Sequence, residues 1–141
     1  METAAVRRRV TEAIDRARRH AGERRARADE AARNYAAFLE DVAVPLFRQV
    51  SSVLKAAGYP FSVFTPSGGV RLMSDRSADD YIELSLDTSG DHPLVLGHSR
   101  HRRGNRIVER EHAVGEQTVA HLTEEGLLEY LLKELEPLVE R

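Results

Sequence analysis

Between residues 10 and 38, small and apolar side chains fall at Val10, Ile14, Ala17, Ala21, Ala28, Ala31, Tyr35 and Phe38, with one interruption at Arg24. The steps alternate four and three, the spacing of a heptad seam on a helix. From Tyr35 the stripe grows heavier, through Phe38, Leu39, Val42, Leu46, Phe47, Val50, Val53 and Leu54, a width that predicts a helix lying on a sheet. Pro45 lacks an N–H and is expected to kink this helix or divide it in two. Ala57-Gly58 reads as its C-terminal stop.

Beyond Gly58 the period changes from helical to alternating. Short apolar runs cut by turn residues predict strands over 61–65, 70–74, 81–87, 92–103, 106–114 and 117–122. Gly104-Asn105 is a hairpin dipeptide, and a two-residue loop there sets Arg100 opposite Glu109 and His98 opposite Glu111. Gly115-Glu116 suits a type II′ turn into the last strand. Thr123 reads as the N-cap of a final helix. Glu124 and Glu125 follow in its first turn, and Leu128, Leu131, Leu132, Leu135 and Val139 form its apolar face.

These elements predict an α+β protein: a long N-terminal helix, an antiparallel meander of five to six strands, and a C-terminal helix. Residues 1–34 are expected to project as an Arg/Ala-rich helical arm, and 35–141 to form a single α+β domain. A helix of this length outruns so small a sheet, so part of it should meet something else. The Ala-dominated seam allows close approach of a second helix but removes little surface from water.

Charge sharpens this picture. The 141 residues are 41% hydrophobic and 31% charged with a net charge of −2, which excludes a polyanion binder acting by bulk charge. Residues 1–34 hold ten arginines against six acids, a net of +4, and residues 35–141 hold eleven basic residues against seventeen acids, a net of −6. Such asymmetry favours head-to-body contact between copies, or an anionic partner for the arm. Glu12–Arg16, Asp15–Arg19, Glu23–Arg27 and Asp29–Arg33 stand as i,i+4 pairs, so a solvated or coiled-coil helix is the simpler reading of the arginines. Nineteen Arg against two Lys suggests a GC-rich bacterial genome.

Cysteine is absent, so neither a disulfide frame nor thiolate chemistry is available. The first ten residues lack the apolar core of a signal peptide, and no apolar run is long enough to span a bilayer; a cytoplasmic location without membrane attachment is expected.

Candidate chemistry is sparse. No GxSxG, HExxH or Gly-rich phosphate loop leading into a helix is present, so no catalytic residues and no cofactor are expected. Asp75, Asp79, Asp80 and Glu83 supply carboxylates without an evident acid–base partner. Five histidines between 92 and 121 invite a metal reading, but His98 and His101 should point to opposite faces of a strand and no third ligand accompanies His112 and His121, so no metal is expected. In the expected hairpin, His101, Arg103, Arg106, Arg110 and His112 share one face and form a candidate anion or partner surface; the plainer reading is an outward sheet face kept soluble by charge.

The function expected from these features is a non-enzymatic protein–protein interaction module, homodimeric and adaptor- or chaperone-like, with Val10, Ile14, Ala17, Ala21, Ala28 and Ala31 as the dimer seam and a further protein partner. One alternative is a nucleic-acid-associated protein using the Arg-rich arm and basic hairpin. Another is a small-ligand-binding protein with a pocket between sheet and helix. The order helix, strands, helix resembles that of small secretion-chaperone-like and helix-grip proteins, while no motif places the chain in either family.

Overall fold

The computed structural model describes residues 1–115 and 118–140. Helix α1 (Thr3–Phe38) runs through a π-helical turn at Leu39–Ala43 into helix α2 (Val44–Ala56), so the chain is helical from Thr3 to Ala56. Pro45 therefore neither ends nor divides the helix. The widened turn, in which Val44 N–H bonds the Leu39 carbonyl, takes up the backbone mismatch that the proline ring causes at the start of α2. At the other end Gly58 takes φ +93°. Tyr59 N–H then reaches the Leu54 carbonyl at 2.8 Å and Gly58 N–H the Lys55 carbonyl at 3.1 Å, the paired bonds of a Schellman stop.

Five strands follow, β1 (Phe61–Phe64), β2 (Gly69–Ser74), β3 (Tyr81–Asp87), β4 (Leu94–Arg103) and β5 (Arg106–Ala113), each pairing antiparallel with the next. The β4–β5 register is the one the Gly104-Asn105 turn predicts, with Arg100 opposite Glu109 and His98 opposite Glu111. The strand expected over 117–122 does not form within the described residues. Gln117, like Glu116 of the expected turn, lies outside them, and Val119–His121 is a single 3₁₀ turn. Local bonds compete with strand pairing here. His121 N–H bonds the Thr118 carbonyl at 2.9 Å, the Thr118 hydroxyl meets His121 Nδ1 at 2.7 Å, and Val119 drops into the core.

Helix α3 (Glu124–Val139) starts where Thr123 Oγ1 accepts from Gly126 N–H at 3.0 Å. It buries Leu127, Tyr130, Leu131, Glu134 and Leu138, whereas Leu132 remains 52% exposed. The buried arc is thus turned from the expected leucine face and admits a carboxylate.

One sheet face holds the core. Val70, Leu72, Ile82, Leu84 and Val95 pack with Phe47, Leu54 and Leu131 from the helices. Ser51 ties α2 to β1 through a buried 2.7 Å bond to the Phe61 carbonyl. Tyr35 marks where α1 joins this core. It is buried, its hydroxyl donates to the Gly68 carbonyl at 3.2 Å, and burial together with the nearby Glu83 charge pushes its pKa up to about 12. The opposite sheet face carries cross-strand ion pairs such as Arg71–Glu83 at 2.8 Å and Arg100–Glu109 at 3.4 Å.

Candidate functional site

The N-terminal half of α1 is the first candidate surface. Apart from Ala5, every residue from 3 to 20 is exposed. Those eighteen residues correspond to roughly 27 Å of helix at about 1.5 Å per residue. Val6, Val10 and Ile14 are 43%, 52% and 45% exposed and follow each other at steps of four, so they form one apolar stripe. Ala17 is exposed and Ala21 half-buried on the same stripe.

The seam does not stay free along its whole predicted length. Ala31 is buried in the core and Ala28 is half-buried, because α1 turns this face onto the Val119–His121 segment of its own body. Ala28 and Ala31 are therefore intramolecular packing residues, and the free seam is Val10, Ile14 and Ala17, with Ala21 half-buried at its end. The helix is strapped where it leaves the body. Arg27 Nε donates to the Asp91 carbonyl at 2.9 Å and the Arg24 guanidinium lies 3.9 Å from the Asp91 carboxylate. Arg27 is thus engaged with the body rather than with Glu23. Among the described residues none of the four expected i,i+4 pairs closes to ion-pair distance; the arm's one ion pair there is the Arg24–Asp91 contact.

The second candidate surface is the inner face of the β4–β5 hairpin. His101, Arg103, Arg106, Arg110 and His112 share this face, as the register predicts, but it is not an outward face. It is the face on which α3 lies, so His101 is buried, His112 is half-buried, Arg110 approaches the helix while still exposed, and Arg103 and Arg106 stand exposed beside the turn. The groups that organise it were not singled out from the sequence. Glu134 of α3, its side chain 1% exposed, accepts a 2.7 Å hydrogen bond from Ser99 Oγ through Oε2. Its Oε1 lies 3.6 Å from Arg110 and 3.5 Å from His112 Nε2, with no hydrogen bond of its own. A carboxylate this deep is costly unless cations face it. Tyr130, one helical turn earlier, stands edge-on to the His112 ring and fits because position 97 is glycine. Burial, then the Glu134 charge, pushes the Tyr130 phenol well above its ordinary range, and the hydroxyl stays un-ionised. The available signal for Glu134 was its place in the 127, 131, 134, 138 series, a polar residue at a heptad-spaced buried position.

Loss of the Arg110 charge removes the one arginine that faces that carboxylate among the described residues. Arg110→Ala is expected to lower stability by about 2 kcal/mol, measured by urea denaturation, and Glu134→Gln added to it should restore part of the loss. Equal stability of wild type and Arg110→Ala would show that the pair carries no weight.

The remaining candidates are spread out. Asp79 pairs with Arg102 at 2.7 Å and lies 3.7 Å from Arg100; the Arg102 hydrogen bond and both positive charges hold its carboxyl below the usual range. Asp80 is buried and accepts from the Arg102 N–H at 2.9 Å. His98 stands edge-on to Tyr81 on the outer face, away from His101. Among the described residues no group of three or more His, Cys, Asp or Glu side chains converges on one point that could hold a metal ion, and no helix is long and apolar enough to cross a membrane. Comparison of the chain with protein-family models, with curated proteins and with solved structures finds no match.

Proposed function

We propose that this chain is a non-enzymatic interaction module that works as a homodimer, with the free arm of each copy laid against the other copy. The observation that carries this reading is the stripe of Val6, Val10 and Ile14, each 43–52% exposed on a stretch of α1 that leaves the body. Three branched aliphatic side chains in one line, each already about half covered, gain about 1 kcal/mol each on burial of the remainder, which single scattered surface residues would not supply cooperatively. Charge supports a second copy as the occupant, because the arm is net +4 and the remainder net −6.

The exposed edge of β5 is a poorer means of self-association. In an antiparallel pairing about a two-fold axis, residues of the same parity face each other. Registers centred on the strand then set Glu109 against Glu109 or Glu111, and like charges in those positions repel.

The absence of native cysteine allows a clean test. A benzophenone photo-crosslinker attached to Ala17→Cys is expected to capture a second copy in high yield. The same label on Asp15→Cys, about 200° around the helix at 100° per residue, should capture little. Equal and low yields at both positions would count against the proposal.

A further inference from the structure

The tip of the β4–β5 hairpin carries more positive charge than its surroundings neutralise. Arg103 and Arg106 are directly opposite one another beside the Gly104-Asn105 turn, an arrangement that repels. Neighbouring arginines are engaged: Arg100 with Asp79 and Glu109, Arg102 with Asp79, and Arg110 with Glu134. Among the described residues Arg103 and Arg106 take part in no ion pair.

This charge borders a cavity. Between the hairpin and the end of α3 lies a cleft of ≈ 560 Å³, walled by His101, Arg103, Val108 and Arg110 on the sheet side and by Pro137 and Glu140 on the helix side. That volume lies within the span of small-molecule sites. Glu134 faces Arg110 from below at 3.6 Å, a distance that anchors the charge yet is too long for a hydrogen bond. The guanidinium is held in place with donors unspent. Val108 and Pro137 add apolar wall, and Glu140 is the one carboxylate among the lining residues.

We propose that this cleft binds a small organic anion, a carboxylate or phosphate group carried on an apolar body. The anion would lie against Arg103 and Arg110, with Arg106 opposite Arg103 at the edge of the cleft, and relieve the repulsion at the hairpin tip. The apolar part would rest on Val108 and Pro137. The site is independent of the arm, so a variant that disrupts self-association leaves it intact.

Isothermal titration calorimetry on the full chain tests this with phenyl phosphate, benzoate and inorganic phosphate as probes. At least one of the two organic anions should bind with a dissociation constant of about 1 mM or tighter, and whichever binds more tightly identifies the headgroup. Inorganic phosphate should bind several-fold more weakly than phenyl phosphate. Arg103→Ser with Arg106→Ser removes two exposed, mutually repelling charges and should keep the thermal midpoint while weakening the organic anion about tenfold or more. The proposal is overturned if neither organic anion binds, if the double variant binds as well as wild type, or if inorganic phosphate binds as tightly as phenyl phosphate. Binding of a short single-stranded oligonucleotide with steep salt dependence, without binding of either organic anion, would assign the arginines to nucleic acid and also overturn it.

Discussion

Gly97→Ala is expected to destabilise the protein by about 3 kcal/mol, at the upper end of what overpacking one methyl group costs. Position 97 lies on the inner face of β4, and a methyl group there overlaps Tyr130 Oη and Cζ and comes within 2.8 Å of Cε1. Relief requires the ring or α3 to move. The ring is edge-packed on His112, and α3 is fixed by Leu127 and Leu131, both fully buried. Against a typical total stability of roughly 5–15 kcal/mol, that loss is large. Two comparisons isolate the cause. Adding Tyr130→Phe should return only part of the stability, since the hydroxyl is the nearest atom but the ring carbons remain in the way. Gly22→Ala, in α1 with only Arg25 at 4.0 Å, should have the opposite sign and stabilise by up to about 1 kcal/mol through helix propensity. Chemical denaturation of the four proteins reads all of these. A Gly97→Ala variant as stable as wild type would mean that α3 is not held against β4 in this way.

Val10→Glu with Ile14→Glu should convert the proposed dimer to monomer at micromolar concentration. Each substitution removes a branched side chain from the proposed contact and adds a carboxylate in both copies. At about 1 kcal/mol for the half of each side chain still exposed, four lost side chains weaken association by a factor of roughly 10³. The fold should survive, since both positions are about half exposed and neither belongs to the core. A far-ultraviolet spectrum and thermal midpoint close to wild type, together with a halved mass, are the expected result. Ala28→Glu is no substitute for this experiment. That side chain is half-buried against the chain's own body, so a charge there would perturb folding and association together.

Much of the fold is legible in the sequence because it is written in local chemistry. The Gly104-Asn105 turn sets the β4–β5 register, Gly58 supplies the left-handed residue of the α2 stop, and Thr123 caps α3. The positions that resist reading depend on tertiary choices. β4 and β5 carry apolar side chains on both faces, and it is the packing of α2 and α3 on one face of the sheet that turns Val95, Ser99 and His101 inward. An alanine stripe looks the same whether it meets another copy or its own body, so the division between Ala21 and Ala31 was not visible. The 117–122 segment alternates like a strand, yet the Thr118–His121 bonds wind part of it into a 3₁₀ turn.

The candidate hairpin surface was legible as a set of residues on one face but not as a site. Arg103, Arg106 and Arg110 follow from register alone. Glu134, which holds Arg110 and His112 from the helix side, does not, because a glutamate amid leucines normally marks the solvent face of a helix. Its burial beside Ser99 depends on Gly97 admitting Tyr130, so a residue without a side chain sets where the charged residues gather.

Sedimentation equilibrium of the natural sequence tests the central claim most directly. Association through the arm predicts a mass near twice 15.8 kDa at micromolar concentration, falling to the single-chain mass in the Val10→Glu, Ile14→Glu variant. A natural-sequence mass of 15.8 kDa across the micromolar range would contradict it.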